Sequence, residues 1–193
     1  QGSTVLSIRI KGTDDRITLV NALSVAGNAI EEIRFADGSA SLTHAQLLAL
    51  SMQSTDGNDV LYGTTAADTI FGGKGNDTIN TLGGDDQLFG EAGQDTLNGD
   101  AGNDILDGGA GSDTLAGAAG NDIYRFGRGY GIDTITDTAG VDRIEFGADI
   151  TPDDIQVEQW STTGLIIRIK GTSDRLNLTN VVSTAANVIE SAI

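Results

Sequence analysis

From Ser54 to Arg125 the apolar and polar positions recur with a period of nine, eight times and without a gap. The units read STDGNDVLY, GTTAADTIF, GGKGNDTIN, TLGGDDQLF, GEAGQDTLN, GDAGNDILD, GGAGSDTLA and GAAGNDIYR. Their eighth position is always apolar: Leu61, Ile70, Ile79, Leu88, Leu97, Leu106, Leu115 and Tyr124. Two residues earlier stands an aspartate every time, at Asp59, Asp68, Asp77, Asp86, Asp95, Asp104, Asp113 and Asp122, and glycine crowds the first, second and fourth positions. A unit with one apolar side chain cannot bury a face alone, so this period predicts a stacked array whose neighbours share a continuous interior.

The flanks alternate with a shorter period. Val5 to Lys11 and Arg16 to Asn21 read as a hairpin, and Ile30 to Phe35 as a further strand. Thr43 and Gln46 form a capping box for a short helix carrying Leu47, Leu48, Leu50 and Met52, placed to cover the open end of the array. Beyond it, FGRGYGIDTITD (126–137) is an irregular unit with Asp133 where another sixth-position aspartate falls, after which the spacing dissolves. Strands are expected at Asp142–Phe146, Ile155–Trp160, Leu165–Lys170 and Arg175–Thr179, with Thr151 to Asp154 as a turn. A longer repeat overlies all this: IRIKGTDDR (8–16) returns as IRIKGTSDR (167–175), and an offset of 159 also matches Asn21, Ser24, Asn28 and Ile30 to Asn180, Ser183, Asn187 and Ile189. That offset points to a parent protein built of tandem modules. The start Gln1-Gly2-Ser3 reads as a cloning remnant ahead of an excised piece.

Composition narrows the partners. The formal charge is −17, and residues 54–125 hold 13 Asp and Glu against Lys74 and Arg125, so the array alone contributes −11. Nucleic acid and anionic membrane surfaces are therefore excluded as partners. No apolar run has the length of a membrane span. With no cysteine in the chain, disulfides do not hold it together and divalent metal is the available cross-link. Burying one Leu or Ile returns about 1.5–3 kcal/mol, less than ordering nine backbone residues costs. Stacked carboxylates deepen the deficit, so the array should stay open until a cation joins it.

The repeat, GGxGxDxUx in consensus, resembles the RTX, or haemolysin-type calcium-binding, nonapeptide. YRFGRGYGIDTITD (124–137), DRIEFG (142–147) and IEEIRFADG (30–38) resemble the related segments that flank such blocks. The resemblance implies an all-β fold, a parallel β-roll with mostly β capping segments at both ends beside the short N-terminal helix. Six residues of each unit form a turn and three a strand, and alternate units stack. Asp59, Asp77, Asp95 and Asp113 then form one row, and Asp68, Asp86, Asp104 and Asp122 the other. Calcium takes six to eight hard oxygens. The expected ligands are these eight aspartates with Asp133, and carbonyls around the glycines Gly72, Gly73, Gly75, Gly90, Gly93, Gly99, Gly102, Gly108, Gly109 and Gly111. Three gaps in each row imply about six ions, and Asp133 completes a seventh site. Ala66 in the second unit and the missing first-position glycine of the fourth make the Asp68–Asp86 edge the last to fill.

The domain division expected is 1–53 as an N-terminal cap, 54–133 as the calcium roll and 134–193 as a C-terminal β cap. No catalytic constellation appears: there is one histidine, His44, no GxSxG and no phosphate loop, so the chain is expected not to be an enzyme. Asp153-Asp154 after Pro152 reads as a helical turn, Trp160 as core, and Arg9, Lys11, Arg16 with Arg168, Lys170, Arg175 as a solvated hairpin face. The resemblance implies a folding and spacer module of a large type I-secreted or surface protein of a Gram-negative bacterium, such as an adhesin, whose partners are calcium and neighbouring modules. The alternatives are an accessory module of a secreted enzyme or toxin, or a glycan-binding module.

Overall fold

In the computed structural model, which describes residues 5–9, 16–20, 32–34, 41–43, 53–179 and 187–192, each nonapeptide ends in a strand and alternate units feed opposite sheets. One sheet stacks β5 (Val60–Tyr62), β7 (Thr78–Asn80), β9 (Thr96–Asn98) and β12 (Thr114–Ala116) in parallel. The other stacks β6 (Thr69–Lys74), β8 (Gln87–Gly93), β10 (Ile105–Asp107) and β13 (Ile123–Phe126), with β11 (Ala110–Gly111) also on β8. Partners are 18 residues apart, as Leu61 with Ile79 and Leu88 with Leu106. Because the period is fixed, every eighth-position side chain meets another, and Leu61, Ile70, Ile79, Leu88, Leu97, Leu106, Leu115 and Tyr124 are all buried between the sheets. The chain is a parallel β-roll.

The roll does not end at Asp133. β14 (Ile132–Thr136) pairs with β12, bringing Ile135 onto Leu115, and β15 (Gly140–Phe146) pairs with β13, bringing Ile144 onto Tyr124. The expected loss of spacing is thus corrected: residues 126–136 are an eleven-residue unit, so the step lengthens from 18 to 20, and DTAGVDRIE (137–145) is again a nonapeptide. Gly129 (φ 81°) and Gly131 (φ 91°) turn the extra residues through left-handed backbone that a side chain disfavours.

A 3₁₀ turn at Pro152–Asp154, capped reciprocally by Thr151, leads into β16 (Ile155–Gln159), β17 (Leu165–Ile169) and β18 (Arg175–Thr179). β16, β17 and β18 are antiparallel, and β18 lies parallel on β14. Their buried Ile167, Ile169, Leu176 and Leu178 extend the core. β19 (Asn187–Ala192) closes the second sheet on β15. One expectation changes here. Trp160, just past the edge strand β16, is 55% exposed and not core. Of the cations on this hairpin, Arg168 pairs with Glu158 at 3.2 Å and Lys170 donates to the Asp153 carbonyl at 2.6 Å.

The chain divides into two compact units, residues 1–53 and 54–193. In the first, β1 (Val5–Arg9) and β2 (Arg16–Val20) form an antiparallel hairpin and β3 (Glu32–Arg34) pairs with β4 (Ser41–Thr43). The expected cap helix, with His44, lies outside the described residues. Among the described residues no helix is long and apolar enough to cross a membrane.

Leu97 is completely buried and Val60, one position before the core row, is 59% exposed. In calcium, Leu97→Ala should lower the denaturation free energy by about 2–5 kcal/mol, and Val60→Ala by less than about 0.5 kcal/mol. Equal losses in chemical denaturation would contradict this placement of the core.

Candidate metal centre

The sixth-position aspartates occupy the corners where each turn enters its strand, and the roll lines them up in two rows. Within a row, every backbone N–H is taken by the carboxylate of the next coil. Asp59 N–H donates to Asp77 Oδ1 at 2.8 Å, Asp77 to Asp95 at 2.7 Å, Asp95 to Asp113 at 2.8 Å and Asp113 to Asp133 at 3.0 Å. The second row runs from Asp68 to Asp86 at 2.8 Å, Asp86 to Asp104 at 2.9 Å, Asp104 to Asp122 at 2.8 Å and Asp122 to Asp142 at 2.9 Å. Asp142 was not legible as a row member until DTAGVDRIE is seen as a unit. A parallel outer ladder also went unread. Fifth-position Asn58, Asn76, Asp85, Asn103 and Asn121 accept the N–H of the unit above at 2.8–2.9 Å, and their recurrence one residue before five of the eight aspartates was the available signal.

Seven of the row aspartates have one oxygen left over. The Oδ2 atoms of Asp77, Asp86, Asp95, Asp104, Asp113, Asp122 and Asp133 are buried without a hydrogen-bond partner. An unsatisfied buried acceptor is costly and a buried unpaired charge more so. Burial accordingly pushes these carboxyls above their ordinary 3.8: Asp95 and Asp104 to about 6, Asp122 to about 7, Asp133 to about 8, and Asp77, Asp86 and Asp113 upward as well.

The glycines shape the space beside these oxygens. A methyl group added to Gly90 would lie 2.5 Å from both Asp95 Oδ2 and the Gly108 carbonyl oxygen, and one on Gly72 would lie 2.7 Å from Asp77 Oδ2 and 2.8 Å from the Gly90 carbonyl. First-position glycine therefore leaves a pocket between coils that is walled by a carboxylate and a carbonyl. Fourth-position glycine lets the coils touch: a methyl on Gly93 would sit 1.6 Å from the Gly75 carbonyl oxygen. Ala66 is tolerated at a fourth position because it belongs to the first coil of its row, with no nonapeptide turn beneath it. Of the other expected carbonyl contributors, Gly99 and Gly108 repeat the first-position geometry, Gly75, Gly102 and Gly111 the fourth, and Gly73 and Gly109 hold the left-handed second position. Glu91, Asp100 and Ala118 adopt that second-position conformation too, so glycine is not required there.

The rows differ at their two ends. At the N-terminal end threonines fill the spaces. Thr55 donates its N–H and hydroxyl to Asp59 Oδ2 at 2.6 and 2.9 Å, and Thr64 does the same to Asp68 Oδ2 at 2.5 and 2.9 Å. Thr81, where glycine is usual, is fully buried and donates its hydroxyl to the Gly99 carbonyl at 2.7 Å. At the other end Asp137 takes a first position, and one carboxylate oxygen each of Asp137, Asp122 and Asp142 lie within 4.8 Å of one another. Tyr124 donates its hydroxyl to Asp137 and accepts the Gly117 N–H at 2.9 Å.

Stacked carboxylate oxygens, inward carbonyls and no nitrogen or sulfur donors fit a hard divalent cation, for which calcium's coordination number and flexibility are suited. Bound there, the ion would supply positive charge to oxygens that have no other partner. A parallel β-roll with such rows defines a class of calcium-dependent solenoid. The RTX calcium-binding nonapeptide repeat family, whose model holds four copies, matches residues 53–88 and again 89–124, and the haemolysin-type calcium binding protein related domain matches residues 6–42. Residues 53–124 thus carry RTX haemolysin-type calcium-binding repeats. No curated protein matches it. Among solved structures it is similar to the extracellular lipase LipA from Serratia marcescens, at 16% identity and a TM-score of 0.42. The alignment covers 72% of this chain and 39% of that one.

Because burial raises these carboxyls, the closed roll without metal holds protons that the open chain releases. Its metal-free stability is present below about pH 4 and lost as pH rises through about 6 to 8. In chelator, far-UV circular dichroism should therefore show β-structure gained on acidification from about pH 8 to about pH 4. A signal that is flat or falls over that range would contradict the buried-carboxylate picture.

Proposed function

We propose that residues 54–133, with the further coil that carries Asp142, are a calcium-gated folding module, that the rest of 134–193 closes it, and that 1–53 caps it on the N-terminal side. The module serves as a spacer in a large, modular protein that crosses the envelope of a Gram-negative bacterium by type I secretion, such as a surface adhesin. The observation that carries this is the double row of buried Oδ2 atoms without partners. A roll built that way is unstable where calcium is scarce and closes where it is plentiful, so the chain stays open for export and folds outside. Extracellular calcium modules bind with dissociation constants of about 10⁻⁴–10⁻³ M, which separates the two compartments.

The ions sit where first-position glycine or Asp137 leaves the inter-coil space open: between Asp77 and Asp95, Asp95 and Asp113, Asp113 and Asp133, Asp104 and Asp122, and Asp122 and Asp142. That is about five ions at the coordination calcium requires. The spaces at Asp59, Asp68 and Asp86 are filled by Thr55, Thr64 and Thr81, whose hydroxyls take over hydrogen bonds that a metal would otherwise replace. The module needs no catalytic group for this role.

Native mass spectrometry in millimolar calcium tests the assignment. The chain should hold about five ions, and Thr81→Gly should add about one by opening the space beside Asp86. No bound calcium would overturn the function, whereas an unchanged count in Thr81→Gly would overturn the role given to Thr81.

A further inference from the structure

Two hairpins in this chain share one pairing scheme. In β17–β18 the facing pairs are Leu165 with Leu178, Ile166 with Asn177, Ile167 with Leu176 and Arg168 with Arg175. In β1–β2 they are Leu6 with Leu19, Ser7 with Thr18, Ile8 with Ile17 and Arg9 with Arg16. Every residue of the second set precedes its counterpart by 159. The long-range sequence repeat is thus also a repeat of register, which a slip of one residue would have destroyed.

The later hairpin has a defined task. β18 lies parallel on β14, from Ile132 with Arg175 to Thr136 with Thr179, and buries Leu176 and Leu178 in the end of the core. Asp174, 6% exposed, fixes the start of that pairing. Its carboxylate accepts the Gly129 N–H at 2.9 Å on Oδ2 and the Gly131 N–H at 3.1 Å on Oδ1, while Arg175 N–H donates to the Gly131 carbonyl at 2.8 Å. Thr172 supports it by accepting the Asp174 N–H at 3.0 Å.

The parts of this latch recur in the earlier copy: Thr13 stands for Thr172, Asp15 for Asp174, Arg16 for Arg175, and Ile17 and Leu19 for the buried Leu176 and Leu178. Yet among the described residues β2 pairs with β1 alone. The roll of this chain cannot supply a partner, because its β14 already carries β18.

We propose that β2 is the closing strand for the roll of a second copy of this chain. It lies parallel on that copy's Ile132–Thr136 strand, and Asp15 stands in the sequence where Asp174 stands in the latch of the closed roll. The two copies follow one another in sequence, so a single hairpin both ends one roll and precedes the next. The inference rests on the calcium reading only in that each roll must fill in order to present its last strand.

The test is a tandem chain in which residues 21–162 run directly into residues 4–193, leaving the junction β1–β2 as the only such hairpin available to the first roll. Counted by native mass spectrometry in calcium, it should bind twice the ions of the single chain. Asp15→Ala at the junction should return the count toward that of one roll, and the same substitution in the single chain should change nothing. A tandem that fills only its second roll overturns the proposal but leaves the calcium function intact, since that roll keeps β17–β18. An unchanged count in the junction Asp15→Ala variant, or a lost ion in the single-chain one, would remove Asp15 from the latch. If the single chain itself binds no calcium, the failure lies with the proposed function.

Discussion

Carboxylate oxygens buried against one another are the constraint around which this roll is built. From the second coil of each row onward, an aspartate such as Asp95 or Asp113 uses Oδ1 to receive the N–H of the coil before it, which holds the turn at its corner and points Oδ2 into the space between coils. Seven such oxygens lack a hydrogen-bond partner. The aliphatic interior offers one side chain per nonapeptide in return, and that is too little to offset both chain ordering and desolvated charge. A divalent cation reverses the sign of the same feature, turning the least favourable atoms of the apo roll into its ligands. In the function proposed above, folding and metal binding are one event, set by the calcium of the surroundings.

The ends of the rows show how the chain limits this dependence. A first coil has no nonapeptide before it in the row, and Thr55 and Thr64 satisfy Asp59 and Asp68 with neutral donors. Thr81 extends the same solution one coil further by placing its hydroxyl on the Gly99 carbonyl. At the far end the opposite choice is made: Asp137 adds a third carboxylate beside Asp122 and Asp142, and Tyr124 steadies it through a hydroxyl whose pKa burial pushes up. The roll is therefore polar along its axis, self-satisfied at its start and most demanding of cations at its finish.

Much of this was legible in the sequence because a fixed period of nine ties core, turn and row together. Once Leu61 is core and Asp59 is a corner, Ile79 and Asp77 must be so too. Reading failed where the period changed length. The two extra residues before Asp133 hid Asp142 and Ile144, since a roll tolerates a longer turn as long as glycines such as Gly129 and Gly131 return the chain to register. Trp160 misled for another reason: a large aromatic predicts burial on average, but it follows an edge strand where no further layer covers it. The role of Thr81 was hidden because a missing glycine reads as a weakened site, and only the position of its hydroxyl shows what fills the space instead.

The central claim is that cations supply the cohesion that the aliphatic interior lacks, and small-angle X-ray scattering at neutral pH tests it most directly. Dialysed against chelator, the chain should have the radius of gyration of an expanded polymer over residues 54–179, and millimolar calcium should contract it to the dimensions of the roll. Identical compact scattering in chelator and in calcium would show that the coils hold together without metal, and the account would be wrong.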